Sequence, residues 1–103
     1  MDNLKLNKNQ FIEFAKLFQK IENFNADYLF DVYDMAFDGL LALSEENKID
    51  NISISSPELI SYIVGEYVYS TNLLSGENLN RFIANESYKE SMASVAADKY
   101  LYL

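Results

Sequence analysis

Four aspartates, Asp27, Asp31, Asp34 and Asp38, recur at spacings of four, three and four, and Glu45 follows seven residues later. At about 100° per residue, a helix gathers all five carboxylates within a sector of about 60°. The same register sets Leu29, Val32, Ala36, Leu40 and Leu43 on the opposite side. Phe30, Phe37 and Leu41 flank the acidic sector on one side and Met35 on the other, so the helix is apolar around most of its circumference. This pattern predicts a long helix over about 27–46, central in an all-α bundle, with a narrow carboxylate ridge. Like charges at these spacings repel, and no lysine or arginine stands three or four residues from any of the four aspartates. Compensation is therefore expected from outside the helix, as a basic surface on another molecule.

The rest of the chain supplies helices to pack around this one. Phe11, Phe14, Ala15, Leu17, Phe18, Ile21 and Phe24 form an apolar face over about 8–24, opposite Glu13, Lys16, Lys20 and Asn23. Asn25 or Asp27 is the expected cap of the second helix. Residues 47–56 are expected as a loop. Ser56-Pro57-Glu58 is a helix start, with a capping serine, proline at the first position and an acid in the first turn. The helix that follows, about 57–72, is expected to bury Leu59, Ile60, Ile63, Val64 and Tyr67, although its run from Tyr62 to Tyr69 also suits a strand. Ser75-Gly76 marks a break. A short helix over about 77–84 and a last one over about 86–101, with Asn85 between them as a cap, complete the chain. The last helix offers Tyr88, Met92, Val95 and Ala96 as its apolar stripe. No repeat, linker or low-complexity segment interrupts residues 1–103. The expectation is one compact all-α domain of four to five helices.

Charge and composition limit the chemistry. The net charge is −8, with half the residues hydrophobic and 15% aromatic. It is uneven: residues 1–20 carry a net +2 and residues 81–103 balance, whereas residues 21–80 set eleven acids against Lys48 alone. A basic footprint is missing, so direct nucleic-acid or anionic-membrane binding is not expected. The chain has neither cysteine nor histidine. Disulfides, Cys/His zinc sites and histidine acid–base chemistry are thereby excluded, and serine or threonine nucleophiles have no base. Without a membrane-length apolar run or a signal-peptide pattern at Met1–Lys5, a cytoplasmic protein is expected.

The ridge carries the functional expectation. Its carboxylates repeat every ~4.5–6 Å along the helix axis, the order of phosphate separation along a nucleic-acid strand. In charge, size and aromatic content the chain resembles phage and mobile-element DNA mimics such as antirestriction and anti-CRISPR inhibitors, without sharing a motif with a particular family. That resemblance implies a non-enzymatic inhibitor, without cofactor, that occupies the basic nucleic-acid-binding surface of a partner protein. Asp27, Asp31, Asp34, Asp38 and Glu45 would be the contact ridge and Phe30 and Phe37 anchors beside it. Glu58, Tyr62, Glu66 and Tyr69, on the outward face of the third helix, extend the candidate surface. Reversing Asp31 and Asp34 to lysine is expected to relieve repulsion, stabilising the helix while abolishing binding.

Two other readings compete. A small helical bundle of immunity, antitoxin or phage structural or regulatory type would act through an apolar interface. A homodimer through the helix-three tyrosines and the terminal Tyr100, Leu101, Tyr102 and Leu103 is expected on similar grounds. Asp27-x-x-x-Asp31 and Asp31-x-x-Asp34 could instead share Mg²⁺ in a hydrolase, although Glu86-x-x-x-Glu90 is the one other paired set and no phosphate loop accompanies them. The lysines of the first twenty residues read as an ordinary solvated surface.

Overall fold

The computed structural model describes residues 5–18, 25–46 and 56–101. They form five helices: α1 (Lys8–Phe18), α2 (Ala26–Glu46), α3 (Ser56–Leu73), α4 (Gly76–Ala84) and α5 (Glu86–Leu101). The expected all-α bundle is the fold, and α2 to α5 start and stop within a residue or two of where the pattern puts them. The expected tail of the first helix, 19–24, and the 47–55 loop lie outside the described residues.

The helix starts are chemically specified. Asn7 and Gln10 cap α1 reciprocally: the Gln10 amide donates to Asn7 Oδ1 at 2.9 Å and the Asn7 amide to Gln10 Oε1 at 3.0 Å. Of the two candidates for α2, Asn25 is the cap, accepting from the Tyr28 amide at 2.9 Å. Asp27 falls in the first turn, where its charge meets the helix dipole favourably. Asn85 caps α5, accepting from the amides of Ser87 at 2.9 Å and Tyr88 at 3.3 Å. Between α3 and α4 the chain turns at Gly76, whose φ of 58° lies in the left-handed region that glycine adopts without steric cost.

One buried cluster joins the helices. From α2 it takes Tyr28, Leu29, Val32, Tyr33, Ala36, Phe37 and Leu40, and from α3 Leu59, Ile60, Ile63, Val64 and Tyr67. Phe11 and Ala15 of α1, Phe82 of α4, and Ala93, Ala96 and Ala97 of α5 complete it. Each fully buried Leu, Ile or Phe contributes roughly 1.5–3 kcal/mol relative to exposure. The run from Tyr62 to Tyr69, ambiguous in sequence, is helical, with Ile63, Val64 and Tyr67 turned inward. Buried tyrosine hydroxyls tie down the residues ahead of two helices. Tyr33 accepts the Leu6 amide at 3.0 Å, and Tyr67 accepts the Asn25 amide at 3.2 Å.

Three expectations about the core are corrected. Leu17 is 79% exposed, because α1 buries only the side bearing Phe11 and Ala15. Phe37 is buried, its ring 5.8 Å from that of Tyr33, and Phe30 packs edge-on to Phe11 at 5.9 Å. The segment carrying Leu6 and α1 covers that flank of α2, so neither ring is an exposed anchor. On α5, Tyr88 and Val95 stay exposed while Ala93, Ala96 and Ala97 are buried. Alanines permit a closer approach to α2 than the aromatic stripe would. A β-carbon built on Gly39 would stand 3.9 Å from that of Ala97, an ordinary contact. Among the described residues, no helix is long and apolar enough to cross a membrane.

Candidate functional site

The aspartate ridge lies where the periodicity puts it. Asp27, Asp31 and Asp38 are exposed and Asp34 is half-buried, all on the α2 side away from the buried cluster. Glu45 falls in the last turn of α2 by its backbone, and its side chain lies outside the described residues.

Compensation for the ridge comes from within the chain. Lys8 pairs with Asp27, and Lys5 pairs with Asp34 and, at 2.9 Å, with Asp38. From α5, Lys89 reaches Asp31 at 3.3 Å and Glu86 at 3.0 Å. The expectation that a separate molecule supplies the cations is therefore corrected, as is the reading of Lys5 and Lys8 as bystanders. Packing delivers charges that lie 19 to 58 residues away in sequence, beyond any i±4 rule. The lysines register their partners. Burial works against the Lys5 ammonium, yet Asp34 and Asp38 together hold its pKa above the usual lysine value. Glu86 first, and then Asp31, do the same for Lys89 against a smaller opposing effect of burial. The expected sign of the double reversal changes with this geometry. Lysine at 31 and 34 would face Lys89 and Lys5, replacing attraction with repulsion, so the substitution destabilises.

The packing of α5 beside α2 widens the acidic surface from a ridge to a face. A groove of about 410 Å³ runs between the two helices, floored by Gly39, Ala42, Ala93, Ser94 and Ala97 and closed at one side by Met35. Glu90 and Asp98 line the same groove, both exposed and without an ion pair within 4 Å among the described residues. With Glu86 they bring the carboxylates of this face to seven, against the ammonium groups of Lys5, Lys8 and Lys89. Among the described residues a surplus of four negative charges remains. Sequence reasoning passed over Glu90 and Asp98 as contributors, since nothing local says which face of α5 meets α2.

The helix-three residues are split by the fold. Glu58 and Tyr69 are exposed as expected, whereas Tyr62 and Glu66 are half-buried because α5 runs past them. The Lys99 ammonium lies 5.5 Å from the centroid of the Tyr62 ring, within cation–π range. The Tyr62 hydroxyl is buried and makes no close hydrogen bond among the described residues, while its proximity raises the pKa of Lys99. None of these four reaches the α2–α5 face by any contact among the described residues. No group of three acidic side chains that could hold a metal ion occurs among the described residues.

Neither a family model, a curated protein nor a solved structure matches this chain.

Proposed function

We propose that this chain is a non-enzymatic binding protein that captures a basic partner protein on the acidic face made by α2 and α5. The observation that carries the reading is the charge surplus of that face. Glu90 and Asp98 flank the groove without an ion-pair partner among the described residues, and Lys5, Lys8 and Lys89 leave the ridge incompletely neutralised. The carboxylates of the internal pairs stay open to solvent although Lys5 and Lys89 are partly covered, and pairs with an exposed partner contribute about 0–1 kcal/mol each. A partner's arginines can therefore displace them at little cost.

The finer form of the proposal is that the partner's basic surface is one that binds nucleic acid, with the carboxylates standing in for phosphates as an antidefence inhibitor's would. The axial repeat of the four aspartates and the net charge of −8 support it.

Affinity capture from the native host, with elution by rising salt, tests the proposal. Rim charges set association rate and salt sensitivity, so the partner should leave early in the gradient, and duplex DNA should compete for it. Glu90→Gln with Asp98→Asn, which disturbs no internal ion pair, should weaken capture several-fold. Capture indifferent to salt and to these substitutions would overturn the reading. Capture sensitive to both but untouched by nucleic acid would overturn only the finer form.

A further inference from the structure

We propose that the groove between α3, α4 and α5 docks a second copy of this chain, giving a homodimer about a two-fold axis. The surface is separate from the acidic face and stands whether or not that face binds a basic protein.

Three large apolar side chains that line this groove are left uncovered: Leu73 at 67%, Tyr88 at 55% and Val95 at 47% exposure. Taking about 200 Å² for an aromatic side chain and somewhat less for Leu and Val, they present on the order of 250 Å². This is about a third of the roughly 800 Å² that a standard interface draws from each partner, the rest falling to the polar rim of the groove.

The layout of the groove selects the occupant. It consists of two hollows, of about 260 and about 420 Å³, which meet at Ser70, Phe82 and Tyr88. Glu66 lies in the first and Arg81 in the second. A two-fold axis through the shared middle and perpendicular to the run of the groove lays the Glu66 end of one copy against the Arg81 end of the other, twice over. Such self-complementarity is what a closed, isologous dimer requires. Glu66 has no ion pair within 4 Å among the described residues, only a longer-range attraction to Lys99, and the pair between Arg81 and Glu77, 3.6 Å apart, is exposed enough to exchange cheaply. Charge points the same way. Two chains of net charge −8 meeting through their α2–α5 faces would set surplus carboxylates against each other, whereas the groove is lined by one acid and one base.

Sedimentation of the full chain from low to high micromolar concentration should show reversible dimer formation. Leu73→Glu, at an exposed position, should weaken the dimer at least tenfold while circular dichroism stays unchanged. Glu66→Arg and Arg81→Glu should each weaken it, and the two together should restore it, a rescue that indiscriminate apolar adhesion does not produce. A monomer at every concentration, a dimer indifferent to Leu73→Glu, or a charge swap without rescue would each overturn the proposal. Capture of a basic partner should be unchanged in all these variants, so either reading can fail while the other holds.

Discussion

Lys89 holds its ammonium 3.3 Å from Asp31, 58 residues earlier in the chain, and Gly39 faces Ala97 at the same separation. A constant separation along both helices means that α2 and α5 run parallel and in register. It converts a one-helix ridge into a two-helix face and places Lys89 as the tie between them. Replacing Lys89 with Gln should lower stability by no more than about 1 kcal/mol, as expected of a surface pair. A double-mutant cycle with Asp31→Asn should give a coupling of the same small size. Capture of a basic partner should tighten in Lys89→Gln, because the surplus of negative charge rises. A loss of capture would remove the acidic face from the binding role.

The glycines should respond with opposite signs. Gly39 and Gly65 lie inside helices where a β-carbon meets nothing closer than 3.9 Å. Alanine at either position should stabilise the fold by about 0.5–1 kcal/mol. At Gly76, with its φ of 58°, alanine should instead cost about 1 kcal/mol despite open space around it. Thermal melts of the three variants read the pattern directly, and destabilisation by Gly39→Ala would mean that α2 and α5 approach more closely than described.

Tyrosine-to-phenylalanine substitutions divide by what each hydroxyl does. At Tyr33 and Tyr67 the change strands the amides of Leu6 and Asn25 and should cost about 1 kcal/mol or more each. At Tyr62 it removes a buried hydroxyl with no close hydrogen bond among the described residues, only the attraction of the nearby Lys99 ammonium, and should cost less than at Tyr33 or Tyr67. Urea titrations can resolve these differences, and a clear loss at Tyr62 would show that its hydroxyl is engaged.

Alkaline pH should weaken the fold through Tyr28. Burial, aided by Tyr67 and opposed by Lys89, pushes its phenol from 10.0 up to about 12. The unfolded chain releases this proton first, so the folded state holds more protons between the two values and stability falls as pH rises through them. The contribution is complete below about pH 10 and gone above about pH 12. Lys5 and Lys89, raised by their carboxylates, lose their pairing in the same direction. Tyr28→Phe forfeits only a weak O–H···S contact to Met92 at 3.8 Å, and it should flatten the decline in melting temperature over that window. An unchanged slope would show that the phenol ionises without unfolding.

What the sequence made legible was periodic or local. The helix starts at Asn25 and Asn85, the break at Ser75-Gly76 and the inward stripes of α2 and α3 follow from capping chemistry and from repeats of three and four. Partners distant in sequence were not legible. Phe37 reads as a flank residue until α1 and the Leu6 segment are known to cover it. Tyr88 and Val95 read as core until α5 turns its alanines toward α2. The lysines that neutralise the aspartates come from other elements, and a helical wheel of α2 alone cannot contain them.

The parallel register of α2 with α5 also dictates how the chain must fold. Helices joined by a short turn can dock as soon as both exist, but these two must wait until α3 and α4 have been laid down between them. Closing so long a loop is costly in entropy before any contact repays it, and contacts of this range slow the search for the native topology. Until α5 is in place, the flank of α2 around Met35 and Gly39 lacks the helix that packs against it. Folding should therefore be late and cooperative rather than stepwise from the amino terminus.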